Sequence, residues 1–533
     1  MTSPIVDPIR AGLTAGWKVI DASRATRDTT LEADVAIVGT GAGGGTAAEI
    51  FAQAGLSVVM IEEGPLRSST DFHMHEDEAY RDLYQDEAAR RTTDHAIGVL
   101  QGRCVGGGTT VNWTSSFRTP AATLDHWHAE WGIDGFGSAD LAPWFEHAEA
   151  RVGVVAWAQA PNANNAALAL GAERLGLAHG SIRRNVRGCW NLGYCGLGCP
   201  TNAKQSMLVT TIPAALARGA TLVTRARALR FDLRGERVRT LQCRAMDASG
   251  TVPSGARITV RARAFVSAAG AIGTPAILLR SGAPDPYGIT GLRTFLHPTV
   301  VSVGQMPGPV DGFRGAPQSV YSDAFLDSAA PGGPIGFKLE VPPIHPVLAA
   351  ITLPGHGERH AMWMKRLPNL QVVIALLRDG FHPQSAGGRV RLAGDGSPIL
   401  DYALNDYVFD GVRRAFAAMA RIQFAAGANH VMPVHGAGQA YASGAAAAKA
   451  IASLDLAPRI TPIVSAHVMG GAPFGPDPTR AVVGLDGRHH QLANLYVLDA
   501  SLFPTSIGAN PQISIEAITA KLATALAQRV RLV

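Results

Sequence analysis

Two polar residues near the end of the chain have the types and the setting that proton transfer needs. His467 stands in Val464-Ser465-Ala466-His467-Val468-Met469-Gly470-Gly471, just before a Gly–Gly turn. Asn510 follows 43 residues later in Gly508-Ala509-Asn510-Pro511, again in a glycine-rich turn and before a proline. An imidazole can take a proton near neutrality because its pKa lies there. A carboxamide can hold an oxygen in place without titrating. Together they suit removal of a hydroxyl proton while a hydride leaves the adjoining carbon for an acceptor. A lone histidine more often has a structural role, so the pair is informative only if the chain builds an acceptor beside it. His489 and His490, in a polar loop before Gln491, read as surface residues.

A second cluster allows two readings. Cys189, Cys195 and Cys199-Pro200 fall within eleven residues of a glycine-rich loop, CWNLGYCGLGCPTNAKQS. Clustered thiolates followed by proline are typical of iron–sulfur loops. The alternative is a structural loop packed near a cofactor. Cys104 and Cys243 stand alone and read as packing residues. Five cysteines in 533 residues do not suggest a disulfide framework.

The elements that must position these groups begin with a strand at residues 33–38 (ADVAIV). Gly39-Thr40-Gly41-Ala42-Gly43-Gly44 follows at once, then a helical stretch over 45–54, a stop at Gly55 and a second apolar strand over 57–61 ending at Glu62. This is a strand–glycine loop–helix–strand unit that binds a dinucleotide. Gly39 permits the tight turn, Gly41 lets a pyrophosphate reach the backbone, and Gly44 lets the helix pack on the strand. Free N–H groups at the helix start attract the phosphates. Glu62 lies 23 residues after Gly39, near the spacing of a carboxylate that accepts from ribose hydroxyls. The unit alone does not choose between NAD and FAD.

Three further segments do. Residues 102–113 (GRCVGGGTTVNW) form a second glycine loop. Residues 266–275 (VSAAGAIGTP) run from an apolar strand through a small-residue turn into a helix over 276–279. Residues 494–504 (NLYVLDASLFP) form a late strand ending in Asp499, before the turn at Gly508 that opens the last helix. At these residues the sequence resembles the glucose–methanol–choline (GMC) oxidoreductase family, from about residue 33 to about 522. The C-terminal motif is closest to the cholesterol oxidase and long-chain alcohol oxidase or dehydrogenase types. The resemblance implies FAD, with the first unit holding its ADP half and Glu62 its adenosine ribose. It places Gly106, Gly107 and Asn112 along the pyrophosphate and isoalloxazine, and Asp499 and Ala500 at the ribityl chain and ring, with Arg103 and Pro511 as further cofactor-binding residues. Gly43 and Asn510 belong to the same cofactor set, and His467 and Asn510 are the catalytic pair. Some members tether FAD through a histidine two residues before the Trp113 position. This chain has Val111 there, so FAD is expected to be non-covalent. Some flavin–cytochrome sugar dehydrogenases of the family resemble the cysteine spacing and hold an iron–sulfur cluster, which keeps that reading open.

The fold implied is α/β: a Rossmann-type FAD-binding domain with an inserted α+β substrate domain built on an antiparallel sheet. The expected divisions are an N-terminal arm over 1–30 and a first FAD-binding part over 31–290, including the cysteine-rich loop 189–206. A substrate cap over 291–460 and a returning catalytic part over 461–533 complete the chain. Residues 342–364 (PPIHPVLAAITLPGHGERHAMWM) are apolar and carry proline, methionine and tryptophan, which suits a sterol, terpenoid or long-chain alcohol better than a sugar. Core packing is the competing account of that segment. The rival functions are a sugar or polyol dehydrogenase relaying electrons through iron–sulfur, an NAD-dependent dehydrogenase, and a non-catalytic flavin-binding interaction protein. The electron acceptor stays open among oxygen, quinone and cytochrome. A net charge of +5 with scattered arginines gives no footprint for nucleic acid. No stretch is long and apolar enough for a membrane span, so a cytoplasmic protein is expected, with a peripheral membrane position left open.

Overall fold

A parallel sheet grows from the apolar run before the first glycine loop. The computed structural model describes residues 5–327 and 330–532. The strand Thr29–Val38 runs into the loop with its inner half, from Val35 to Val38, buried. It starts earlier than the apolar pattern indicates. Its parallel partner Pro253–Ser267 continues the ladder back to Thr29, where exposed Thr29, Thr30 and Glu32 carry no core signal. Parallel pairing extends through Val58–Ile61 and Thr221–Thr224 to Lys18–Asp21 on one side, and through Pro253–Ser267 to Leu495–Val497 on the other. The segment expected as an N-terminal arm thus supplies an edge strand of this sheet, and residues 1–4 lie outside those described. The hairpin of Ala226–Arg234 and Arg237–Met246 pairs onto the outer half of Pro253–Ser267.

Small residues set the spacing of this layer. The helix Ala42–Gln53 approaches the chain after Leu495–Val497 so closely that a Cβ on Gly43 would stand 1.8 Å from the Leu498 carbonyl oxygen. On Gly44 it would stand 2.0 Å from the carbonyl oxygen of Gly39. The last helix, Gln512–Leu532, packs along Ala42–Gln53, so the two ends of the chain share one core.

A second, mostly antiparallel sheet of eight strands stands beside the first. Its centre is Thr299–Gln305 paired with Leu370–Leu377. Every residue of Leu370–Leu377 is buried, which marks a strand covered on both faces. The period of two sorts the side chains. Val373, Ala375 and Leu377 join the core under the helix Asp406–Ala425, whereas Val372, Ile374 and Leu376 face a cavity. Ile97–Val99 and Gly180–Ser181 form its edges and Ile463–Ser465 joins the former to the centre, so this sheet draws on segments outside 291–460. A four-stranded sheet completes the frame, in which Leu292–Phe295 pairs antiparallel with Met469–Gly470. Among the described residues no helix is long and apolar enough to cross a membrane.

The fit at Gly43 sets a prediction. In Gly43→Ala the new methyl must displace either the helix start or the Leu498 peptide, neither of which is a flexible side chain. Destabilisation on the order of 3 kcal/mol is expected, read by denaturant unfolding of the holoprotein. A variant as stable as the parent would refute this approach of helix to chain.

Candidate active site

One cavity of about 740 Å³ runs between the two sheets, within the roughly 300–1,000 Å³ typical of ligand pockets. On the parallel-sheet side it is lined by Gly39, Thr40, Gly41, Ala42, Gly43 and Glu62 of the first unit. Gly107 and Asn112 come from the second glycine loop, and Asp499, Ala500, Asn510 and Pro511 from the late segment. Three stretches far apart in sequence therefore meet on one wall.

Hydrogen bonds show how. Thr40 donates its N–H (3.2 Å) and its hydroxyl (2.6 Å) to one oxygen of Glu62, and the Gly64 N–H donates to the other (2.9 Å). The Gly106 N–H donates to Thr40 Oγ1 at 3.1 Å, which locks the second glycine loop to the first. Asn112 Nδ2 donates to Gln512 Oε1 and so joins that loop to the last helix. Burial pushes the Glu62 carboxyl above its usual pKa despite these donors.

The wall fits a dinucleotide. The helix Ala42–Gln53 opens without a side-chain cap, leaving its N-terminal N–H groups at the cavity. A Cβ on Gly41 would meet only the Gly107 Cα, at 4.0 Å, so bare backbone faces the space where a pyrophosphate would lie. Gly44 and Gly106 stand behind this wall and do not line the cavity. Asp499 lines it, but both its oxygens are engaged by protein donors, Gly270 N–H, Thr274 Oγ1, Ser501 N–H and Ser501 Oγ.

Three expectations need correction. Arg103 does not reach the cavity. Its guanidinium is turned to the carbonyls of Gly250 (2.7 Å) and Ser249 (3.2 Å), where it pins the turn between two strands of the first sheet. The cysteine loop does not fit an iron–sulfur centre, because its thiols are spent on separate local donors. Cys189 accepts from the Asn191 N–H (3.4 Å) and Cys199 from the Lys204 N–H (3.5 Å), while Cys195 sits 3.8 Å from Arg184 Nη2. Among the described residues no three His, Cys, Asp or Glu side chains converge on a metal position. Lys204 gives the loop its structural task. Its buried ammonium, pushed down to about 8 by desolvation, donates to the carbonyls of Thr110, Asn112 and Cys195 and ties the loop to the cavity wall. His489 is also not a surface residue. It is buried, its N–H donates to Leu495 O at 2.9 Å, and the expected polar loop folds against the late strand.

His467 and Asn510 do meet. His467 Nε2 lies 3.5 Å from Asn510 Nδ2, and both residues line the cavity. Burial pushes the His467 pKa down to about 4. Asn510 Nδ2 also donates to Glu340 Oε2 at 3.2 Å, and Gln318 Nε2 donates to the same oxygen at 2.5 Å. Glu340 is buried beneath the pair, and desolvation lifts its carboxyl to about 7. Behind His467 stands His297, with Nδ1 to Nδ1 at 3.2 Å. Sequence reasoning missed Gln318, His297 and Glu340, which lie in strands and strand ends of the cap. Their only signal would have been long-range register: Phe295 pairs with Met469, and the same antiparallel step sets 297 opposite 467.

The facing wall is chemically different. Val301, Val303, Val372, Ile374 and Leu376 project from the antiparallel sheet, joined by Ile344, Leu348 and Leu353. The expected apolar segment lines the cavity between Pro342 and Leu353, while Trp363 does not reach it and packs in the core cluster that the wall residues Val301, Val303, Val372, Ile374 and Leu376 also form. Among the described residues between Thr299 and Leu376 no charged side chain lines the cavity.

Two family models described as GMC oxidoreductase match residues 80–299 and 383–519. A GMC-type oxidoreductase of Mycobacterium tuberculosis is 31% identical over 502 residues, 92% of this chain and 75% of that protein. The long-chain-alcohol oxidase FAO3 of Arabidopsis thaliana is 26% identical over 521 residues, covering 93% of this chain and 68% of its own. Among solved structures, pyridoxine 4-oxidase from Mesorbium loti superposes with a TM-score of 0.68 at 20% identity, over 92% of this chain and 98% of that one. A formate oxidase variant from Aspergillus oryzae gives 0.70 at 16% identity, over 95% and 100%.

The open backbone at Gly41 can be tested without disturbing the fold. Its extended conformation suits alanine, and the added methyl would point at empty cavity. Gly41→Ala stripped of cofactor should melt with the parent, yet bind FAD about tenfold more weakly or worse, a loss of about 1.4 kcal/mol. Unchanged affinity in a fluorescence titration would place the pyrophosphate elsewhere.

Proposed function

As a member of the GMC oxidoreductase family this chain is an FAD-dependent oxidoreductase, and we propose that it oxidises the CH–OH group of a hydrophobic alcohol to a carbonyl. The reading rests on one observation: His467 and Asn510 share a cavity whose opposite wall is largely aliphatic and carries no charged side chain among the described residues. FAD, when bound, supplies the hydride acceptor. Gly39, Gly41, Gly43, Glu62, Gly107, Asn112, Ala500 and Pro511 are the residues that would hold it, and Val111 in place of a tethering histidine favours non-covalent binding.

The chemistry assigned to the protein is proton handling and orientation. His467 Nε2 takes the hydroxyl proton as the hydride leaves carbon. Asn510 gives one N–H to Glu340 and turns the other toward the same space, where it can hold the substrate oxygen. The largely aliphatic wall gains by covering an alkyl chain and, with Thr299, Gln318 and Thr352 as its polar side chains, offers a sugar few partners for its hydroxyls, each of which would cost about 1–3 kcal/mol if left without one. The likeness to long-chain-alcohol oxidases supports the same substrate class. A partner-binding flavoprotein without turnover would have no use for a proton acceptor and a carboxamide placed together.

Two measurements test this. With straight-chain primary alcohols, kcat/KM should climb roughly fourfold per added methylene, following about 0.8 kcal/mol per buried CH₂, until the cavity is filled. A flat series, or faster anaerobic flavin reduction by glucose or a polyol, would overturn the substrate class. His467→Ala should retain FAD and lose reduction by alcohol about 10²-fold or more, as removal of a general base requires. In the parent protein the neutral, accepting form of His467 persists until pH falls to about 4. Reduction should therefore stay level from pH 7 to about 5 and decline with a midpoint near 4; a decline centred at the ordinary histidine value of 6.5 would contradict the burial of this group.

A further inference from the structure

We propose that His297 is a positioning residue for the oxidation assigned above, fixing the tautomer of His467 by accepting its Nδ1 proton. The inference depends on His467 being the base, and the test is built so that the two can fail separately.

Only one proton fits between two Nδ1 atoms 3.2 Å apart. A base acting through Nε2 must carry its proton on Nδ1, and that N–H needs an acceptor in the protein. His297 Nδ1 is the partner that the structure gives to His467 Nδ1. His297 must then be the neutral Nε2–H tautomer, and its Nε2 is buried without a hydrogen-bond partner. Burial, the facing His467 and the nearby cations of Lys338 and Arg378 all disfavour a charge on His297. The proton taken from substrate thus stays on His467, and His297 acts as an acceptor and not as a relay.

The chain holds His297 in place with some care. Its φ is +49°, a left-handed conformation uncommon outside glycine though less so for histidine. The buried carboxylate of Asp379 accepts both the Leu296 N–H (3.0 Å) and the His297 N–H (3.1 Å), and the Tyr402 hydroxyl donates to it at 2.8 Å. Thr299 Oγ1 donates to the His297 carbonyl at 3.0 Å. The same Asp379 accepts from Ser506 through its backbone carbonyl, with Ser506 four residues before Asn510. One residue thereby steadies the turns behind both members of the pair.

The test uses two variants of the holoenzyme. His297→Asn suits the left-handed backbone and sets a carboxamide oxygen near the former Nδ1, so it keeps the acceptor. His297→Leu fills similar space without one. Anaerobic flavin reduction by a long-chain alcohol should fall about 10²-fold in His297→Leu, the scale of general-base catalysis, and recover to within about tenfold of the parent in His297→Asn. FAD content should be unchanged in both. In ¹⁵N-histidine spectra the His467 resonances should show the proton on Nδ1 in the parent and His297→Asn, and move toward the Nε2–H form in His297→Leu. If His297→Leu reduces flavin within threefold of the parent while His467→Ala is slow, the positioning role is wrong. Equal slowing in both His297 variants with an unmoved tautomer would also overturn it, pointing to packing. If His467→Ala itself is not slow, the fault lies in the assignment of the base. Should His297→Leu fail to fold, the parent spectra alone decide, since a proton on Nε2 of His467 refutes the proposal.

Discussion

The carboxylate of Asp499 is fully buried and accepts four hydrogen bonds, and the placement of the last part of the chain depends on them. Two come from Gly270 and Thr274 at the start of the helix Gly270–Arg280, and two from Ser501 just beyond the late strand. Burial raises its pKa, so the charge is kept by its donors and not by solvent. Leu495–Val497 has only three residues of parallel ladder with Pro253–Ser267 to hold it in register. The carboxylate adds to this, beside the Asn494 side chain bonded to Val238 at one end and the backbone bonds of Leu495 and Val497 to the 487–489 turn. Removing it would strand several donors in the interior, and each buried unsatisfied group costs about 1–3 kcal/mol.

The position of Asn510 and of one cavity edge then follows from where that segment is sutured. Leu498 lies against Gly43, Asp499 and Ala500 edge the cavity, and Asn510 arrives twelve residues after Leu498, at the foot of the final helix. The antiparallel sheet contributes from the other direction. Its period of two sends Val372, Ile374 and Leu376 to the cavity and their neighbours to the helix-covered core, so one strand both anchors the cap and lines the substrate space. Glu340, on the adjoining strand Phe337–Glu340, reaches up to fix Asn510. Each member of the pair thus meets a residue from the cap, Asn510 at the foot of the final helix and His467 in the link between Ile463–Ser465 of the antiparallel sheet and Met469–Gly470 of the four-stranded one.

The legible parts of this arrangement were those written locally. Gly39 to Glu62 announces itself because turn, helix start and acid fall within one short unit, and the motif at residues 494–511 does the same. What escaped was whatever depends on pairing between distant strands. His297 sits in Phe295-Leu296-His297-Pro298, an apolar run that reads as core, and only the Phe295–Met469 register turns it toward His467. Arg103 misled for the complementary reason. It stands within a cofactor loop, yet the hairpin turn at Ser249 and Gly250 offers carbonyls at closer range than the cavity does. The three cysteines were close in sequence, but spacing does not say which way a thiol turns, and these turn to separate neighbours. His489 was hidden by its polar company.

In the oxidation proposed above, His467 takes a proton from an alcohol although imidazole with a pKa near 4 is a poor base toward one. The difficulty eases once the timing of proton and hydride is considered. A free alcohol would not yield its proton to such a group, so no alkoxide accumulates beforehand. As the hydride departs, however, the oxygen becomes that of a protonated carbonyl, an acid far stronger than imidazolium. On the proposed assignment the proton then moves downhill to Nε2 while Asn510 holds the oxygen. A stronger base would risk carrying a proton at neutral pH and being unable to accept one. Burial instead keeps His467 empty and ready across the physiological range, and leaves the driving force for its protonation to the carbon–hydrogen bond that breaks.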